Sequence, residues 1–142
     1  ELYDILALRQ EVFVVEQSCV FFFSFGVDRQ AWHLLGRNKT GELLAYLRVV
    51  DAGVKYPELS IGRVITSPRA RGIGLGKLLM QEGLKRTLQM HPHADIRISA
   101  QARLQGFYAS LGFMTESEPY MEDGIAHIEM LFSYAKKISF LV

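Results

Sequence analysis

The most constraining stretch of this chain runs from Ser60 to Met80, Ser-Ile-Gly-Arg-Val-Ile-Thr-Ser-Pro-Arg-Ala-Arg-Gly-Ile-Gly-Leu-Gly-Lys-Leu-Leu-Met. An apolar strand ends at Thr66, a short basic loop follows, and glycines at 72, 74 and 76 open a helix. Strand, glycine-rich turn and helix start together let a backbone aim several N–H groups at a phosphate. Glycine allows close approach of the main chain and positive φ. The helix start adds a positive dipole end, and Arg69, Arg71 and Lys77 add charge. Two familiar phosphate motifs do not fit. A Walker A loop needs four residues between its first glycine and Gly-Lys, then Ser or Thr, whereas Gly72 and Gly76 enclose three and Leu78 follows Lys77. The dinucleotide fingerprint needs G-x-G-x-x-G and an acidic strand end about 20 residues on. Neither is present. A glycine-rich turn without a ligand is the alternative for this stretch on its own.

The rest of the composition narrows the setting. At 142 residues the chain suits one domain with one adequate core. A net charge of +1 gives no general reason to expect nucleic acid. Cys19 is the single cysteine, so no internal disulfide can form, which fits a reducing cytoplasm. No apolar run approaches a membrane span, and no signal peptide is visible. The chain starts at Glu1 already inside a helical pattern, so a few N-terminal residues, including a first strand, are expected to be missing.

Read in order, residues 1–17 have helical spacing through Leu2, Ile5, Leu6, Val12 and Phe13. Glu16 at its end is either a base or amine-binding carboxylate near an acceptor pocket, or a solvated helix-end acid. Residues 18–31 form a loop holding Val20, Phe21, Phe22, Phe23 and Phe25, which need a covering surface. An acceptor-site wall, a dimer contact and a flap over the core edge all satisfy that need. Trp32–Arg37 and Glu42–Asp51 read as a hairpin about 38–41. Glu58–Thr66 is the next strand, and its Arg63 faces a cleft or an acid partner. Residues 75–90 form a helix with Leu75, Leu79, Met80, Gly83, Leu84 and Thr87 on one side. Asp95–Ala100 is a strand, Leu104–Leu111 a short helix, and Phe113–Tyr120 with Ala126–Ser133 a hairpin about Glu122-Asp123-Gly124. Residues 134–142 are an undetermined tail.

Two runs then point to a family. Arg71-Gly72-Ile73-Gly74-Leu75-Gly76 resembles the Q/R-x-x-G-x-G/A signature of the GNAT N-acetyltransferases. Gln101 to Phe113 resembles that family's second hallmark, N-x-x-A-x-x-F-Y-x-x-x-G-F, with Tyr108, Gly112 and Phe113 matching, Gln101 in place of Asn and Leu104 in place of Ala. Leu8–Cys19, Ile61–Val64, Ser99–Ala102 and Glu122–Ile128 extend the likeness to the ElaA branch, up to about residue 132. One departure stands out: where the branch has C-P-Y-x-E/D-x-D-G, this chain has Cys19-Val20-Phe21-Phe22-Phe23-Ser24-Phe25-Gly26. If the branch's acids bind an amine, the acceptor here differs or its site is weakened.

The resemblance implies a mixed α/β acyl-CoA N-acyltransferase fold over 1–142, with a central twisted mixed sheet of about six strands flanked by helices. It implies acetyl-CoA as cosubstrate without a metal, an acetyl group passed to a primary amine by direct attack, and Tyr108 as general acid. The thioester carbonyl would take a backbone N–H from Val64, Ile65 or Thr66. The pyrophosphate would sit on the amides of Arg71, Gly72, Ile73, Gly74, Leu75, Gly76 and Lys77, and Gln101 would face the pantetheine. For the base, Glu16, His33, His127 and Glu129 stay open, as does a placed water. The acceptor, a small molecule or a peptide or protein amine, is unread, and homodimers are common in the family. A GNAT-like domain that holds CoA as a sensor without useful turnover is the competing reading.

Overall fold

The computed structural model describes residues 2–9, 11–12 and 31–134. Alternating apolar and polar residues build the centre. Along β4 (Ile96–Gln101), Ile96, Ile98 and Ala100 are buried on one face, while Arg97, Ser99 and Gln101 are half-buried on the other. The same alternation in β7 (Ile125–Phe132) buries Ile128, Met130 and Phe132 beside them. With β1 (Trp32–Arg37), β2 (Leu43–Val50), β3 (Leu59–Thr66), β5 (Met114–Thr115) and β6 (Tyr120–Glu122), these form one sheet in the order β1-β2-β3-β4-β7-β5, with β6 also on β7. All pairs are antiparallel except β3 with β4.

The sheet therefore has seven strands, in line with the expected count of about six. The first arm of the last hairpin breaks between β5 and β6. Pro119 has no N–H to give a ladder. At the break the Ser117 hydroxyl accepts the Glu129 N–H at 2.9 Å, and the Glu116 N–H donates to the Glu129 carbonyl at 2.8 Å. β6 and β7 then meet at a two-residue turn in which Asp123 (φ 52°) and Gly124 (φ 77°) are both left-handed, the geometry that matches strand twist.

Helices cover both faces. On one side α1 (Leu2–Arg9) places Ile5 and Leu8, with Val12 beyond it, against Leu43, Tyr46 and Ile65. The expected helix to residue 17 is described only as far as a π-type turn at Glu11 and Val12. The remainder, with Glu16 and the aromatic segment at 20–25, lies outside the described residues. On the other side α2 (Leu75–Met90) and α3 (Gln105–Ser110) bury Leu79, Met80, Leu84 and Tyr108 on Leu47, Ile61, Ile98 and Met130. α2 has the expected bounds, and a 3-10 turn, Ala102–Leu104, leads into α3.

Gly83 sets how closely α2 lies on the sheet. A Cβ built there would come 2.7 Å from Cδ2 of Leu47, which is wholly buried. Gly83→Ala gains about 1 kcal/mol of helix propensity, but overpacking a core costs typically about 1–3 kcal/mol. The variant is expected to unfold at lower temperature than the parent; a higher melting temperature would mean that Leu47 swings aside freely.

Candidate functional site

The site begins with a strand that leaves its neighbour. β3 and β4 pair only at Leu59↔Ile96 and Ser60↔Arg97. Beyond that point β3 stays on β2 and β4 stays on β7, so the two part into a V. The cause is a bulge. Between Tyr46↔Ile65 and Arg48↔Gly62 the β3 chain carries one residue more than β2, and Arg63 adopts φ 52°. A bulge bends its strand and leaves the extra residue out of the ladder. A positive φ at a non-glycine residue is strain of a kind that gathers at functional sites.

Both limbs and their neighbours line the V. Gly62, Arg63 and Val64 come from β3, and Ser99 and Gln101 from β4. Tyr108 of α3 and Leu104 close the helix side, while Lys55 of the β2–β3 loop, Glu122 and His127 line the other. Tyr108 is 7% exposed, edge-on to Phe107 and Phe113 at 5.1 and 6.0 Å between ring centroids. Burial pushes its hydroxyl up to about 12, against a small opposing pull from Arg103. Among the described residues that hydroxyl has no hydrogen-bond partner.

Opposite Tyr108 runs a polar chain. His127 Nδ1 lies 2.7 Å from the Ile125 carbonyl, so that nitrogen donates, and Nε2 faces Glu122 Oε2 at 3.4 Å. Ser99 Oγ donates to the same carboxylate oxygen at 3.1 Å. Its one proton being spent there, the Tyr120 hydroxyl, 2.6 Å away, donates to Ser99. On the same face Arg97 holds Glu58 through two bonds of 3.0 Å and Glu129 through one of 3.2 Å. The Arg97 hydrogen bond, foremost, holds the Glu58 carboxyl below its usual value. Such a group stabilises the fold above its unfolded pKa, and the contribution is lost as pH falls through the folded one. Glu58→Gln is therefore expected to cost stability at pH 7 and progressively less on acidification below about pH 4, read as urea midpoints of both proteins. A gap independent of pH would contradict this.

At the open end of the V the glycine loop turns into α2. Arg71 bonds back to the Thr66 carbonyl at 3.1 Å. Gly72 and Gly74 have φ of 87° and 76°. α2 has no side-chain cap and no acid in its first turn. Its first N–H groups thus lack intrahelical acceptors, and the helical ladder opens with the Leu78 N–H donating to the Gly74 carbonyl at 3.2 Å. Such an end suits an anion. A Cβ at Gly76 would lie 3.9 Å from Phe107 and 4.0 Å from Thr66, so strand end, loop and α3 converge there.

Sequence-expected residues thus divide. Val64, Gln101, Tyr108 and His127 line one cleft, and the loop from Arg71 to Lys77 follows the end of β3 after one short 3-10 turn, Pro68–Ala70. His33 does not line it; it sits on β1, 2.6 Å from the Tyr46 hydroxyl. Glu129 is engaged by Arg97. Lys55 and Glu122 were not expected. The polar alternation of Arg97, Ser99 and Gln101 is a signal that this face of β4 needs polar company, but nothing in the chain spacing identifies Lys55. The described residues hold no cluster of three or more potential metal ligands, and no helix among them is long and apolar enough to cross a membrane.

A mixed sheet whose central parallel pair splays beside an uncapped glycine loop defines the acyl-CoA N-acyltransferase fold. A crystal structure of an acyl-CoA N-acyltransferase from Pseudomonas aeruginosa superposes with a TM-score of 0.88 at 42% identity, covering 94% of this chain and 90% of that one. Escherichia coli ElaA superposes with a TM-score of 0.84 at 40% identity over 92% and 88%. A UPF0039 protein of Synechocystis is 46% identical over 131 residues, 92% of this chain and 85% of its own length. The acetyltransferase (GNAT) domain model matches residues 25–133. The chain belongs to the GNAT acetyltransferase family, in its ElaA-like branch.

Proposed function

We propose that the protein transfers the acetyl group of acetyl-CoA to a primary amine by direct attack in the β3–β4 cleft. The observation that carries this reading is buried Tyr108, its hydroxyl without a partner among the described residues, lining the same V as Val64, next to an uncapped, acid-free helix start. The donor supplies an activated acyl group on a sulfur leaving group. The chain's residues supply the rest. The amides from Arg71 to Lys77 hold the pyrophosphate. A β3 amide between Val64 and Thr66 polarises the thioester carbonyl where negative charge grows. Gln101 lines the pantetheine side, and exposed Ile73 and Leu78 offer apolar surface beside the loop.

Tyr108 donates to the departing sulfur as general acid. With its pKa at about 12 the hydroxyl keeps its proton at any physiological pH. The amine enters from the face bearing Glu122 and His127, and we assign its proton to that pair. His127 is held in one ring orientation by the Ile125 carbonyl, with Nε2 turned to the carboxylate.

Calorimetry against acetyl-CoA and CoA, followed by thiol detection over an amine panel, tests the reading. Micromolar binding with thiol release supports it. Binding with no release from any amine favours the CoA-holding sensor instead. No binding of either nucleotide removes the acetyltransferase reading.

A further inference from the structure

The cleft has a lysine of its own. Among the described residues Lys55 is the one lysine lining the V; Lys39 lies in the β1–β2 turn, Lys77 in the first turn of α2 and Lys85 on the body of α2. We propose that Lys55 is an acetylation site of the protein itself, its Nζ taking the acetyl group from acetyl-CoA bound in the same cleft. This rests on the donor reading above.

Three observations converge. Lys55 shares its cleft with Val64, Tyr108 and Gln101, the residues that the donor would reach. Its ammonium makes no ion pair among the described residues and instead sits 5.6 Å from the centre of the Tyr56 ring. The carboxylate that acts on it, Glu122, is already engaged by Ser99 and His127. The side chain therefore has no strong contact to hold it away from the cleft. Its environment also favours the nucleophilic form. The residue as a whole is exposed, yet shielding of the ammonium is the main cause that lowers its pKa, Glu122 opposing and Arg63 and Arg48 adding to the drop. A neutral amine fraction larger than that of a free lysine results.

The step balances. Neutral Nζ attacks the thioester carbon, an N–C bond forms and the C–S bond breaks. The proton shed by nitrogen passes to the Glu122–His127 pair, and the sulfur leaves as the thiol with a proton from Tyr108, replenished from that pair through solvent. The products are Nε-acetyl-Lys55 and CoA. The new amide is uncharged and occupies the side from which an external amine enters, so the modification acts as a brake on the protein's own turnover.

The test uses the purified full chain, mapped by mass spectrometry before and after incubation with acetyl-CoA, with calorimetry of acetyl-CoA on the same preparation. The expected result is one acetyl group on Lys55, appearing at least about tenfold faster than on exposed Lys39, as positioning in a cleft should give. Gly74→Val and, should that variant fold poorly, Tyr108→Phe are expected to bring the Lys55 rate down toward that of Lys39. An acetyl already on Lys55 in the isolated parent, absent from the variant, counts as the same result. Bound acetyl-CoA with Lys55 modified no faster than Lys39 overturns the proposal and leaves the donor site standing. No bound acetyl-CoA overturns both, and calorimetry reports that separately.

Discussion

Gly74→Val is expected to abolish measurable binding of acetyl-CoA while leaving a folded protein. Gly74 is the cap of α2, with φ 76° and ψ 15°. That left-handed conformation costs an L-residue about 1–2 kcal/mol and is a genuine outlier for a β-branched one. A Cβ built on Gly74 meets no atom of the protein within 4 Å. The substitution therefore creates no packing clash, and its cost falls on the loop conformation and on the open space in front of it. That space is where the backbone must approach a phosphate closely. If the loop shifts to relieve φ, the N–H groups of Leu75, Gly76 and Lys77 no longer converge. If it does not shift, the valine methyl groups stand in the anion's place. Calorimetry should show affinity lost by about two orders of magnitude or more, roughly 3 kcal/mol, with a modest fall in melting temperature. Gly112→Val provides the contrast. Its φ is 104° and its Cβ would lie 3.1 Å from Phe132, so its penalty is one of folding. Retained affinity in a folded Gly74→Val protein would mean that the phosphate is held elsewhere.

Tyr108→Phe is expected to lower kcat by about one to two orders of magnitude, the lower range for loss of a general acid, with acetyl-CoA affinity nearly unchanged. The ring packs edge-on between Phe107 and Phe113, and phenylalanine keeps those contacts. The hydroxyl gives up no hydrogen bond to any of the described residues when removed. Stability should thus hardly move, which separates a chemical from a structural role. The pH profile carries a second signature. An acid must be protonated to act, and a hydroxyl raised from 10 to about 12 stays protonated through the alkaline range. The parent should show no loss of kcat attributable to this tyrosine between about pH 8 and 10. An unchanged kcat in Tyr108→Phe would remove Tyr108 from the reaction.

Much of the site is legible in the chain because it is made of short-range chemistry. The run from Arg71 to Lys77 announces a glycine turn feeding a helix, and α2 occupies Leu75–Met90 as its periodicity requires. Gly83, on the apolar side of that helix, reads as a close approach, and Leu47 is what it approaches. Tyr108 stands in a motif whose spacing with the glycine loop points to one family. Local periodicity and turn chemistry act over a few residues, so a sequence displays them directly.

What the sequence by itself determined is therefore the strand-loop-helix cradle, the two-faced helices, the polar alternation in β4 and the family. The tertiary structure alone decided the cleft and its company. The V depends on a bulge at Arg63, set by how β3 registers against β2, and register is a relation between strands. The break between β5 and β6 depends on Ser117 taking a bond from Glu129 across the ladder. Lys55 and Glu122, 67 positions apart by their numbers, share a wall only because the β2–β3 loop and the β6–β7 turn come to the same side of the sheet. His33, equally polar in sequence, sits on β1 against Tyr46 of the neighbouring strand and does not line that wall. Contacts of that kind come from long-range packing, which composition and spacing do not encode locally.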